Sequence, residues 1–170
     1  MLQTTRCLTF PFLLAIASAQ NAAFVPFGTG CTFDNQTLAI GNVGLPRIGT
    51  SFRITYAGPN HTHDFRQQIA WPQLALGLQA QNFPIPQNLL PQQPTGCTGA
   101  LVPDAMLATL ASSNGTTFDA FFDLAMPNDP GLLGVQFLAQ WLTIHQQCGI
   151  VGCGIDAALT SDAAIVLVGL

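Results

Sequence analysis

The 170-residue chain is 49% hydrophobic but only 7% charged, and its charges are four Arg and eight Asp, with no Lys and no Glu. Typical soluble proteins carry roughly 25% charged residues, so the deficit points to a β-rich extracellular protein with a Gln, Asn, Ser and Thr surface. With no basic patch to neutralise phosphates, nucleic acid and anionic membrane surfaces are excluded as expected partners.

Residues 1–19 read as a secretory signal peptide. Arg6 sits in a short positive region, residues 7–17 form an apolar stretch, and Ala17-Ser18-Ala19 supplies a small-x-small cleavage site. The mature chain is then expected to start at Gln20 and to form one domain over 20–170. Cys7 lies inside the apolar stretch, well before the cleavage site, which argues against a lipoprotein. Loss of Arg6 leaves three Arg against eight Asp, a net charge of about −5. The other long apolar stretch, 163–170, is strand-sized and far below the ~20 residues of a spanning helix.

In chain order, 22–30 is a short extended segment ending in a Gly-rich turn, and 37–40 is a short strand. Residues 41–49 are turn-rich. In 51–56, Phe52, Ile54 and Tyr56 face in, while Ser51, Arg53 and Thr55 face out. A polar loop, 61–66, follows. Residues 68–79 are strand-like, but Pro72 removes a ladder donor, so an edge position or a bulge is expected there. Four prolines make 82–95 a long irregular connection. Short strands are expected at 97–102 and 105–110, a turn at 112–115, and an alternating strand at 116–124. There Phe118, Ala120, Phe122 and Leu124 oppose Asp119, Phe121 and Asp123.

The organising stretch is 126–143. Asp129 can cap, Pro130 pre-sets φ for one helical turn, and Gly131 and Gly134 permit a tight exit. Beyond it Val135, Phe137, Ala139 and Trp141 alternate with Gln136, Leu138, Gln140 and Leu142 as a long core strand. Residues 145–154 read as a Gly/Cys loop and 155–170 as the final strand, its apolar end suited to a central position. No helical period of useful length occurs. About eight short strands with regular turn signals predict an all-β fold, an antiparallel β-sandwich or jelly roll.

Four cysteines survive cleavage: Cys31, Cys97, Cys148 and Cys153. An even count in a secreted chain predicts two disulfides with three possible connectivities. We favour Cys31–Cys97 with Cys148–Cys153, the second pair flanking the flexible stretch from Gly149 to Gly152. The spacing lacks paired C-x-x-C units, so a zinc site is not expected.

Several motifs in order resemble a known family. They are Phe27-Gly28-Thr29-Gly30-Cys31, then Gly44-Leu45-Pro46-Arg47-Ile48-Gly49 leading into Phe52-Arg53-Ile54. Leu74-Ala75-Leu76-Gly77 and Gly96-Cys97 follow, then Met126-Pro127-Asn128-Asp129-Pro130 through Gly134 to Trp141, and Thr160-Ser161-Asp162. The arrangement resembles an uncharacterised secreted β-sandwich domain of planctomycetes and similar GC-rich environmental bacteria, over roughly 27–170. The resemblance implies a sandwich fold and a Cys31–Cys97 pair, and it brings no catalytic residues. Cys148, Cys153, residues 20–25 and the loop 61–66 fall outside its pattern.

Candidate chemistry is sparse. His61, His63 and Asp64 form the most suggestive cluster, since two His at i and i+2 on a strand point the same way. With Asp64 or His145 they could hold a divalent metal, although solvated loop histidines are the plainer reading. Ser161-Asp162 with His145 as base lacks a G-x-S-x-G elbow. Asp119 and Asp123 are roughly 13 Å apart along a strand, wide for paired carboxylates. Asp34 and Asp129 fit a turn and a cap better than a calcium site. Trp71, Trp141 and Tyr56 are candidates for a sugar-stacking platform. Trp141 alternates with core residues, which leaves Trp71, beside Pro72, as the better surface candidate. Sequons occur at Asn35, Asn60 and Asn114.

The expected function is a secreted, non-catalytic binding or structural module at the cell surface or in the extracellular matrix, without cofactor. Its expected partners are an extracellular polysaccharide or another exported protein. The alternatives are a small extracellular hydrolase using His61, His63 and Asp64, and a subunit that assembles with copies of itself through exposed strand edges.

Overall fold

The computed structural model describes residues 21–33, 35–59, 67–86, 90–91, 93–94, 97–113, 117–149 and 152–170. The fold is all-β and antiparallel, with thirteen strands among the described residues rather than about eight. In chain order they are β1 (Ala23–Phe27), β2 (Thr32–Phe33), β3 (Gln36–Thr37), β4 (Ala39–Val43), β5 (Ser51–Pro59), β6 (Gln67–Gly77) and β7 (Gln79–Pro84). β8 (Thr98–Val102), β9 (Ala105–Ala108), β10 (Ser112–Ser113), β11 (Thr117–Ala125), β12 (Gln136–Gly149) and β13 (Gly152–Leu167) complete the set. The excess comes from two-residue strands and from β7, which begins before the proline-rich connection.

A five-stranded sheet, ordered β1-β13-β12-β6-β9, faces a four-stranded sheet, ordered β10-β11-β5-β4. The alternation expected from the sequence decides what each sheet turns inward. Phe52, Ile54 and Tyr56 of β5, with Phe118 and Ala120 of β11, meet Leu74 of β6, Ala139 and Trp141 of β12, and Leu159 and Val166 of β13. Trp141 is fully buried. Its ring stacks on Phe122 at 5.8 Å, meets Tyr56 edge-on at 5.6 Å, and donates its Nε1–H to the Thr55 carbonyl at 2.9 Å. A buried indole with its N–H satisfied is the strongest single packing anchor available to such a core.

The helical turn falls where the sequence places it, over Pro130–Leu132, with the Asp129 carboxylate accepting from Gly131 N at 2.8 Å. Val135 is corrected to a position outside the strand, and it is exposed. The expected loop over 145–154 is also corrected. β12 and β13 pair as far as Cys148 opposite Cys153 and Gly149 opposite Gly152, making one long hairpin. β13 is an interior strand between β1 and β12, as the apolar terminus suggested.

β6 lies between β12 and β9, but β9 pairs only with residues 73–76, so Pro72 sits where β6 becomes an edge on that side, in line with the expectation. The Pro72 carbonyl accepts from Thr109 N, just past the point where β9 stops at Ala108. N–H and C=O of one strand residue point to the same side, so the missing donor faces a place where the neighbouring strand has already ended.

The pairing of β12 with β13 slips between Gln140 and Leu142, giving β13 one extra residue near Ser161 and Asp162. Such a bulge leaves a ladder group without its regular partner. Here Ser161 Oγ accepts from Trp141 N at 3.0 Å. Asp162 Oδ1 reaches across to accept from Ile40 N of β4 at 2.7 Å, tying the two sheets together along one seam.

The β7–β8 ribbon forms a partial third layer on the outer face of the five-stranded sheet. Gln140 fastens it: Oε1 accepts from Ala100 N at 2.8 Å, and Nε2 donates to the carbonyls of Thr98 and Ser161. The Cys31–Cys97 disulfide, buried with Cα atoms 4.8 Å apart, anchors the start of β8. Cys148–Cys153 closes the hairpin tip. Both favoured pairs are therefore present.

Candidate functional site

The ribbon covers only part of the outer face of the five-stranded sheet, and among the described residues no strand lies over the hairpin end. Trp71 on β6 and Ile144 on β12 lie opposite each other in register, as do Gln146 on β12 and Ile155 on β13. Alternation turns Trp71 away from the core while its neighbours Ala70 and Pro72 are buried. The ring is 42% exposed, and its Nε1–H donates to Gln146 Oε1 at 3.3 Å. That bond fixes the indole on a strand paired along its whole length with β12. Ile155, 49% exposed, extends the apolar surface, and Cys148–Cys153 clamps the strands two residues further on. Gln93 flanks this area, its amide bonding both the N–H and the C=O of Ala158 in place of an edge strand.

The other platform candidates are inside. Tyr56 is buried against Trp141, so it is not part of any surface platform, and Trp141 is core. Burial pushes the Tyr56 phenol well above its ordinary pKa, with the neighbouring Thr143 hydroxyl opposing the shift.

The proposed nucleophile and base are separated. His145 lies opposite Ala157, four residues along β12 from the Trp141 N–H that bonds Ser161, a separation of roughly 13 Å. Its imidazole is buried between Phe33 and Phe118, with centroids 6.1 and 6.0 Å away. Ser161 is fully buried within the bulge. Burial raises the Asp162 pKa, partly offset by the Ile40 N–H.

Asp119 and Asp123 project from the outer face of the four-stranded sheet. Asp123 holds Arg53 through two bonds, at 2.8 and 2.9 Å, which lowers the Asp123 pKa, while the guanidinium lies 3.7 Å over the Phe121 ring. This is an exposed ion pair capping an exposed aromatic ring. Asp129 is occupied as a helix cap. His61, His63, Asp64 and Asp34 lie outside the described residues, as do the sequons at Asn60 and Asn114. Asn35 is exposed, at φ 59°. Among the described residues no three His, Cys, Asp or Glu side chains gather as a metal site. No helix among them is long and apolar enough to cross a membrane.

A concavity lies at the opposite end of the sandwich. It is an apolar cleft of about 360 Å³ between Leu76, Leu78, Leu124, Met126 and Phe137, with Asp104 at its margin. Nothing in the sequence singled it out, because its walls come from four separate segments. No family model, curated protein or solved structure matches this chain.

Proposed function

We propose that the chain is a secreted, non-catalytic binding module that engages extracellular polysaccharide through the face around Trp71. The observation that carries this reading is the half-exposed Trp71 side chain bonded to Gln146 on a strand paired along its whole length with β12. An indole fixed in place offers a large apolar surface at little cost in side-chain entropy, the arrangement that lets an aromatic ring stack on the C–H face of a sugar. Gln146 and the clamped hairpin set that ring on regular structure, which positions a contact better than a loop does. Two disulfides support residence in an oxidising compartment, in line with the leader-like residues 1–19.

The test is retention of the oxidised 20–170 protein on a panel of insoluble polysaccharides and on envelope material, with and without EDTA. Retention that Trp71→Ala abolishes while thermal unfolding stays unchanged supports the module. Retention insensitive to Trp71→Ala moves the contact elsewhere, and EDTA sensitivity restores the metal reading of His61, His63 and Asp64.

A further inference from the structure

We propose that Cys148–Cys153 is a thiol-exchange site: a dithiol opens it in the folded protein while Cys31–Cys97 stays closed, and its opening loosens the face around Trp71. A disulfide exchanges only when a thiolate can reach one of its sulfurs. The two bonds here differ in that respect. Cys31 and Cys97 are 1% and 2% exposed, and Cys31 Sγ also accepts from Thr160 N at 3.0 Å. Packing bars a solution thiol from that pair.

At Cys148–Cys153 access is open. Cys153 is exposed and Cys148 half-buried. Gly149, Gly152 and Gly154 flank the bond on both strands. Apart from their own chain neighbours, no atom among the described residues lies within 4 Å of the space a side chain would enter at any of the three. The sulfurs therefore sit among small residues with open space on both sides of the hairpin.

The chemistry is a two-step exchange. One thiolate of the dithiol attacks Sγ of Cys153, the more exposed partner. The protein S–S bond breaks, and Cys148 leaves as a thiolate that takes up a proton. The second thiol of the dithiol then attacks the mixed disulfide, frees Cys153 and closes the reagent's own disulfide. The dithiol is oxidised by two electrons and the protein is reduced by two.

Opening acts locally. The β12–β13 ladder continues far beyond the disulfide, and a short closure contributes less to stability than a long one, so the sandwich survives its loss. Alternate residues share a face of a strand. Cys148 and Cys153 therefore lie on the outward face with Gln146 and Ile155, each two residues away. Gln146 is the residue that holds the Trp71 indole. Releasing the clamp lets this end of the hairpin fray, which disorders the contact before it disturbs the core. The consequence for polymer binding rests on the Trp71 contact proposed above.

Brief exposure of the oxidised 20–170 protein to dithiothreitol, followed by iodoacetamide and peptide mass spectrometry, tests this. Cys148 and Cys153 should be alkylated at least about tenfold faster than Cys31 and Cys97, with circular dichroism unchanged. Amide hydrogen exchange over 146–155 should rise in the selectively reduced protein, and equally in the double variant Cys148→Ser with Cys153→Ser, while β5 and β11 stay protected. Alkylation of both pairs together, alkylation only after unfolding, or unchanged hydrogen exchange over 146–155 would overturn the proposal. Where the oxidised protein is retained on a polymer through Trp71, retention should fall on selective reduction, and unchanged retention overturns the link to that face. A protein retained on no polymer defeats the Trp71 reading instead, and the labelling and hydrogen exchange still decide the exchange site.

Discussion

Gln140 and Gln146 sit on the same outward face of the same strand, six residues apart, and do opposite things. Gln140 is buried beneath the β7–β8 ribbon with both ends of its amide bonded. Gln146 is partly open to solvent and holds the indole of Trp71. One amide fastens a layer of the fold, and the other presents a ring to the outside. The residue type decides neither role. What differs is whether a distant hairpin docks over it. The two disulfides divide in the same way, Cys31–Cys97 buried at the base of the ribbon and Cys148–Cys153 near the tip of the long hairpin.

The strongest way to break the covered region is to remove its disulfide. Cys31→Ser with Cys97→Ser frees a closure spanning 66 residues and should cost roughly 4 kcal/mol in the chain-entropy account. Chemical denaturation would measure it. The matching pair, Cys148→Ser with Cys153→Ser, should cost only roughly 2 kcal/mol because its loop is short. Equal losses would mean that the two ends of the sheet are not energetically distinct.

Gln140→Ala should destabilise by about 1–3 kcal/mol, since it takes the acceptor from Ala100 N and a donor from the Ser161 carbonyl, while the Thr98 carbonyl keeps its bond from the Thr160 hydroxyl. Gln146→Ala should move stability by less than about 0.5 kcal/mol while lowering retention on whichever polymer Trp71 recognises. A large stability loss for Gln146→Ala would erase the contrast.

The smallest effect concerns Asp162 and pH. Its folded pKa is raised by burial above the ordinary 3.8. Its contribution to stability is therefore fully present below about 3.8 and is lost as pH rises through the folded value. Asp162→Asn keeps an acceptor for Ile40 N and should flatten that part of the profile in thermal melts across pH. Asp123 runs the other way. Arg53 lowers its pKa, so its contribution is present above 3.8 and fades as pH falls through the folded value. Both side chains of that pair are about half exposed, at 41% and 53%, so the effect should be slight and screened by salt.

Much of the sandwich was legible because a sheet with one buried face writes its pleat into the sequence. The alternation in 51–56, 116–124 and 135–142 placed Phe52, Ile54, Phe118, Ala120, Ala139 and Trp141 correctly in the core. The same alternation faced Tyr56 inward, and the structure upholds that over its reading as a surface aromatic. Trp71 was legible as a surface residue through Pro72, which suggested an edge: β9 pairs only with residues 73–76 of β6, so the strand is open on that side at Trp71, and among the described residues no strand lies over its outward face.

The Ser161-Asp162 bulge was not legible at all. A bulge is a mismatch in residue count between two paired strands, and β12 alone gives no hint of how many residues β13 will place against it. The end cleft was hidden for the same reason, since it depends on where neighbouring strands stop.

Amino-acid order by itself determined the strand faces, the capped turn at Asp129 and an even set of cysteines able to pair. Those properties rest on local geometry, the two-residue pleat, the φ of proline and the presence of thiols. Tertiary structure alone decided which outward faces the ribbon covers, and that Gln140 fastens while Gln146 presents. Those outcomes depend on contacts between segments far apart in the chain, and no local pattern encodes where a ribbon will come to rest.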